Sequence, residues 1–438
     1  MRILHSLRVA TGVLFLGAGL ACDEADRLNE PNSSPIISSL TTGQFKFTPL
    51  STSTACVNGG APSQPFTLPV GFGQTIIARE GDGGTADLWD MNTQNETGMQ
   101  AGRFLYRTHE VGSNGQVSVT DLETNVTRVL ATRPDWERLD GIVWTPWGTL
   151  LAAEETNAAA LSDPAVPQAV AGLVYEINPE TGAAVARPAI GSRSHEGLRF
   201  DPQGNLYGIA ESSPPTGGYI YKFVPDQPGD LSSGQLHALQ LVTPNADRTG
   251  EAVWVPLDRT AVQVSSDAAA TAIQATGYPR PEDVEITTST GNNRGGGNVL
   301  YVAITGEDRV LGIDLHEPDE GGQSTAFVYT YVRDGLNAPA DFDSPDNLAL
   351  DRSGNLYSAE DPGTASARGL GDDIWVASPS GAGGPQPAQP IVRFASLTDC
   401  NAEPSGIYFD QRGWALYVHA QHRGGDGRDL EVKIGRAE

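Results

Sequence analysis

The chain has 438 residues, with 54 acidic side chains against 28 basic ones and a formal net charge of −26. Only three lysines occur, which argues against a phosphate-backbone partner: nucleic-acid binding needs clustered basic residues, whereas divalent cations suit a surface this acidic. Hydrophobic residues make up 39%, enough for a core, so a wholly disordered chain is excluded. The 51 glycines and 30 prolines leave few windows long enough for helices and point to many short strands joined by turns. This length ordinarily suggests two or three domains, but a closed all-β architecture can accommodate it as one.

In chain order, Arg2 and Arg8 flank a short basic start, and Val9 to Leu20 is an apolar run ending in Gly19-Leu20-Ala21-Cys22. Such a run is too short to span a bilayer and reads as a signal peptide over residues 1–22, with Cys22 as a candidate lipidation site. The expectation is an exported protein, periplasmic or at the cell surface, lipid-anchored and monomeric. Residues 23–65 are rich in Ser, Thr, Asn and Pro and read as a low-complexity tether, followed by one β-domain over 66–438. With Cys22 lipidated, Cys56 and Cys400 are left to pair in an oxidising compartment, the alternative being two free buried thiols.

A repeat dominates the remainder. The segments RLDGIVWTPWGTLLAAEE (138–155), SHEGLRFDPQGNLYGIAE (194–211), SPDNLALDRSGNLYSAED (344–361) and AEPSGIYFDQRGWALYVH (402–419) each read as strand, Gly turn, strand. Gly148 and Gly204 are 56 positions apart, Gly204 and Gly354 150, and Gly354 and Gly413 59. The long gap holds a degenerate copy (RPEDVEI, then GGGNVLYVAIT), and an earlier copy lies at Gly102–Leu130. Six copies of roughly 50 residues predict a six-bladed β-propeller.

Hairpin symmetry pairs Asp140 with Glu155, Glu196 with Glu211, and Asp346 with Asp361, all at the open end away from the turn. If these hairpins are the inner strands of successive units, their acids converge on one channel mouth, where bound Ca²⁺ relieves their repulsion. The neighbouring acids Glu154, Glu282 and Asp283 enlarge this candidate metal set. His109 with Glu110, His195 and His422 are accessory candidates, and Arg294, in the Gly-rich run 291–298, is a weak candidate for an anion contact. No G-x-S-x-G elbow, P-loop or dinucleotide fingerprint is present, so catalytic residues cannot be read from a motif.

TPWGTLLAAEE (145–155), HEGLRF (195–200), YIYKFVPDQPGDLSSGQLHAL (219–239), RPEDVEI (280–286), SPDNLALDRSGNLY (344–357) and GWALYVHAQHRGG (413–425) resemble the PhoX-type alkaline phosphatases in wording and order. The resemblance runs from about Phe66 to Lys433. It implies a six-bladed propeller whose central site holds Ca²⁺ and Fe³⁺ and hydrolyses phosphate monoesters in the periplasm. Glu154 and Glu155 match the family's double acid, Glu196 its His-Glu pair, Glu282 the glutamate of its RPE, and Asp346 the aspartate of its PDN. Where the family carries an iron-binding Cys before TPWGT, this chain reads Leu139-Asp140-Gly141-Ile142: either Asp140 replaces the thiol or the iron is absent. The twin-Arg export signal usual in the family is also missing, and its QHPG ending reads QHRG.

The leading functional reading is a metal-dependent phosphoesterase acting on a small-molecule phosphoester. Two others stand beside it: a Ca²⁺-dependent lactonase-like hydrolase, and a non-catalytic, Ca²⁺-stabilised surface propeller.

Overall fold

The computed structural model describes residues 47–287, 298–317, 322–362, 369–381 and 384–437; Cys22 and Arg294 lie outside them. Strands β1 (Phe66–Thr67) and β2 (Phe72–Arg79) precede a four-stranded sheet of β3 (Trp89–Gln94), β4 (Phe104–His109), β5 (Gln116–Asp121) and β6 (Val126–Thr132). The next sheet holds β7 (Leu139–Trp144), β8 (Leu150–Glu154), β9 (Val174–Ile177) and β10 (Ala184–Ala186).

There follow β11 (Leu198–Phe200), β12 (Leu206–Ile209), β13 (Ile220–Gln227), β14 (Asp230–Leu241) and β15 (Gly250–Pro256), then β16 (Pro281–Ile286), β17 (Asn298–Ile304), β18 (Arg309–Leu315) and β19 (Thr325–Arg333). These nine form one continuous sheet, because β15 is paired by β14 on one side and by β19 on the other. Strands β20 (Pro345–Leu350), β21 (Leu356–Glu360), β22 (Asp373–Ala377) and β23 (Val392–Leu397) take β1 as a fifth strand. Strands β24 (Glu403–Phe409), β25 (Leu416–Gln421) and β26 (Leu430–Arg436) are completed by β2.

The expectation of a single six-bladed propeller is therefore corrected. Four blade-like sheets stand beside one nine-stranded sheet whose end strands, β11 and β16, come back side by side so that it nearly closes on itself. Two repeat copies that the sequence counts separately share this sheet, since their outermost strands satisfy each other's open edges. The copy placed at Gly102–Leu130 is also corrected: it covers β4 to β6, and its inner strand β3 lies upstream.

The turns explain why the hairpins form where they do. Asp201 Oδ1 accepts the amides of Gln203 and Asn205, and Asp351 Oδ1 those of Ser353 and Asn355. Gly204 and Gly354 supply the left-handed backbone, at φ 84° and 81°, that closes each turn. Apolar residues on strand faces, such as Leu151, Val174, Leu198 and Leu206, pack between neighbouring sheets into buried clusters.

At the ends of the described chain, β2 pairs with β26 and β1 with β23, and a disulfide joins Cys56 to Cys400 across 344 positions. A crosslink closing so long a loop restrains the unfolded chain. Replacing both cysteines with Ala should lower unfolding stability by about 2–4 kcal/mol. Equal chemical-denaturation midpoints for variant and parent would show that the bond contributes nothing.

Candidate metal centre

Strands β3, β7, β11, β16, β20 and β24 neighbour one another in that cyclic order. Hydrogen bonds between side chains and backbone tie neighbouring sheets together. Thr108 Oγ1 donates to the Asp140 carbonyl, the Leu348 amide reaches Asp283 Oδ2 at 2.9 Å, and the Gly406 amide reaches Asn347 Oδ1. Close approach requires glycine at two of these junctions: a Cβ on Gly141 would lie 2.0 Å from the Glu196 carbonyl oxygen, and one on Gly197 1.8 Å from Asp283 Oδ1.

Each ring strand ends in a turn opened by one residue whose amide bonds back across the hairpin: Asn95, Thr145, Asp201, Thr287, Asp351 and Asp410. Five positions before these residues stand Asp90, Asp140, Glu196, Glu282, Asp346 and Ser405. In four hairpins the ladder register shifts at this place, so that two residues oppose one. The shifts fall between Trp89 and Asn92, Leu139 and Ile142, Pro281 and Val284, and Pro345 and Leu348. The acid is the first residue of each bulge, a device that re-aims a side chain out of ordinary strand alternation.

A second tier sits on the returning strands. The amides of Glu110, Glu155, Glu211, Thr305 and Asp361 donate to the carbonyls of Leu88, Arg138, Ser194, Arg280 and Ser344, each two residues before a ring position. Gln421 completes the tier, paired in register with Glu403.

Two groups of carboxylates in these tiers have ligand-competent oxygens within 4.8 Å of one another: Asp140, Glu155 and Glu196, and Glu196, Glu282 and Asp346. Glu196 belongs to both. Glu282 is buried, and neither of its oxygens accepts an aligned hydrogen bond, although Arg280 Nε lies 2.7 Å away. A buried carboxylate left in this state suits a cation, and the donors in both groups are all carboxylate oxygens. The described cysteines are joined in the disulfide, so neither group contains a thiol.

Arg280 reaches Glu211 at 3.0 Å and Asp361 at 3.4 Å as well as Glu282. Burial opposes its charge, but Glu282 and Asp361 outweigh that effect and hold the guanidinium above its usual range.

Crowding shows in the protonation equilibria. Burial, then Glu110, pushes Asp90 up to about 7; burial, then Glu110 and Glu211, pushes Glu155 up to about 11; burial pushes Glu282 up to about 8. Asp140, Glu196, Asp346 and Glu403 are raised well above the carboxylate range, by burial first and neighbouring acids second. Without cations the folded protein thus holds protons that the unfolded chain has released, so its stability falls as pH rises from about 4 through these raised values. Thermal melting of chelated protein should drop steadily from pH 5 to pH 8, and saturating Ca²⁺ should flatten the slope. A chelated protein that melts higher at pH 8 than at pH 5 would contradict the cluster.

Several candidates from the sequence lie elsewhere. Glu154 turns away from the mouth and accepts the amides of Glu137 and Leu173, at 3.1 and 3.0 Å, with burial raising it to about 8. Asp283 accepts the amides of Val284 and Leu348. Strand alternation decides this: in each acid doublet one side chain faces the mouth and its neighbour braces backbone. His195 is fully buried with Nε2 on the Gly191 carbonyl, and burial, then Arg193, holds it well below the usual histidine range. His109 is buried between the Ala86 carbonyl and Ser118, with burial lowering it to about 3. His422 is exposed, 3.3 Å from Glu403. Asp90, Glu403, Arg280 and Ser405 escape the sequence reading. Asp90 has a usable signal, since Leu88-Trp89-Asp90 stands in the frame of Arg138-Leu139-Asp140.

The model of the family described as alkaline phosphatase PhoX matches residues 143–424. Among solved structures, Pseudomonas fluorescens PhoX in complex with vanadate, a transition state analogue, superposes with a TM-score of 0.62 at 17% identity, covering 87% of this chain and 98% of that one. An auxiliary nutrient binding protein from Bacteroides ovatus (TM-score 0.46, 11% identity, 80% of this chain and 70% of that) and a streptogramin B lyase (0.43, 12%, 84% and 98%) are more distant. No curated protein matches the sequence. With the family model spanning well over half of its length, the chain belongs to the PhoX alkaline phosphatase family.

Proposed function

We propose that this protein is an exported, Ca²⁺-dependent phosphomonoesterase that acts without an iron–thiolate centre. The observation that carries the reading is the pair of carboxylate groups sharing Glu196, with Arg280 held between Glu211, Glu282 and Asp361. All-oxygen donor sets suit Ca²⁺, which takes six to eight such ligands. Asp140, Glu155 and Glu196 would hold one cation, and Glu196, Glu282 and Asp346 a second. When bound, the cations polarise phosphoryl oxygens and stabilise the charge that develops on them.

The chain's own side chains do the remainder. With a cation neutralising Glu282 beside it, Arg280 would turn part of its fork to a phosphoryl oxygen while keeping Glu211 and Asp361, a geometry that favours phosphate. The bulged ring strands fix the carboxylates, so the site is organised before substrate arrives. An iron–thiolate centre does not fit these residues, because neither carboxylate group includes a thiol. Export and a lipid anchor at Cys22 belong to the same reading, supported by the apolar run before that residue and by the Cys56–Cys400 disulfide.

The test is turnover of p-nitrophenyl phosphate by the mature chain after chelation, with Ca²⁺, iron or both restored, beside a panel of sugar lactones. Ca²⁺ alone should restore phosphate release, with no lactone opened. Turnover that requires iron, or turnover of lactones only, would overturn the proposal.

A further inference from the structure

The second tier is not uniform, and its exception identifies one more residue for the substrate. Four of its six members, Glu110, Glu155, Glu211 and Asp361, are acids that repel an anionic phosphoryl oxygen. Thr305 is buried with its hydroxyl donated to the Pro345 carbonyl at 2.7 Å. Gln421, the sixth, is 1% exposed, and its Nε2 amide has no hydrogen-bond partner. A buried amide donor without an acceptor costs about as much as a lost hydrogen bond, which implies that something outside the resting chain completes it.

Its surroundings match. On the returning strand Gln421 lies across from Glu403, two residues before Ser405, as Glu155 lies across from Arg138, two residues before Asp140. The ring residue of its hairpin is Ser405, whose hydroxyl donates to Asp90 Oδ1 at 2.7 Å. With the Ser405 hydroxyl engaged, this sector keeps one unused donor, the Gln421 amide, in register with the Glu403 position, where the Asp140 sector presents two carboxylates.

Resting on the phosphoesterase reading, we infer that Gln421 is a substrate-binding residue whose side-chain amide donates to a phosphoryl oxygen. A neutral donor among fixed carboxylates binds the anion without competing for the cations. The inference is tested with Gln421→Met, which keeps the length and removes the donor, and Gln421→Asn, which keeps the donor but withdraws it.

Inorganic phosphate is titrated into the Ca²⁺-loaded protein by calorimetry, and KM and kcat are measured with p-nitrophenyl phosphate. Gln421→Met should weaken phosphate binding and raise KM roughly ten- to hundredfold, with the Ca²⁺ midpoint unmoved and kcat affected less. Gln421→Asn should fall between variant and parent, and it carries the test should the Met variant fail to fold. Unchanged phosphate affinity, or a shifted Ca²⁺ midpoint with phosphate affinity intact, would overturn the inference, the latter making the amide a cation ligand. Parent protein that neither binds nor hydrolyses phosphate would end the phosphoesterase reading itself, and this inference with it.

Discussion

Glu196→Gln should abolish Ca²⁺-dependent stabilisation and reduce phosphate-ester turnover by at least about a hundredfold. This carboxylate is the one member common to both candidate cation groups, so a single neutral, isosteric change weakens both. A ligand that binds only the folded state stabilises it by about 2.7 kcal/mol per site at a hundred times its dissociation constant. Two sites would therefore raise the melting temperature of the parent by several degrees, and the variant should show little of that rise. Without cations the expected order reverses. Glu196 is held well above the carboxylate range by burial, then Glu282 and Asp140, so the folded parent must keep it protonated, a cost that the neutral amide avoids. Chelated Glu196→Gln should melt no lower than chelated parent. A variant that keeps the full Ca²⁺ shift would place the cations elsewhere.

The second large effect separates two adjacent acids. Glu154→Ala should cost roughly 2–4 kcal/mol with or without Ca²⁺, because it strands the buried amides of Glu137 and Leu173. Glu155→Ala should leave the chelated protein as stable as the parent or more so, while removing most of the Ca²⁺-induced rise in melting temperature. The contrast is read from two melting curves per variant, with and without chelator. If both variants lose the Ca²⁺ response equally, the division of labour between the doublet's two faces is wrong.

That division marks where the sequence stopped being informative. Turn residues and hairpin symmetry are local, so the juxtaposition of Asp140 with Glu155 and of Asp346 with Asp361 could be read from spacing alone. Which acid of a doublet faces the mouth depends on the phase of strand alternation, and the bulges that aim Asp140, Glu282 and Asp346 are announced by no turn motif. The β15–β19 pairing that merges two repeat copies joins edge strands far apart in sequence, with no turn between them to encode it. Asp90 was missed because the first copy was framed on β4 to β6, its outer strands, and Arg280 because a lone arginine beside acids looks like surface charge until three carboxylates are seen around it.

The most direct test is anomalous diffraction from crystals grown with Ca²⁺. Two calcium peaks are expected in the ring, one bounded by Asp140, Glu155 and Glu196 and the other by Glu196, Glu282 and Asp346. Calcium found only on peripheral loops, with the ring carboxylates bare, would contradict the account.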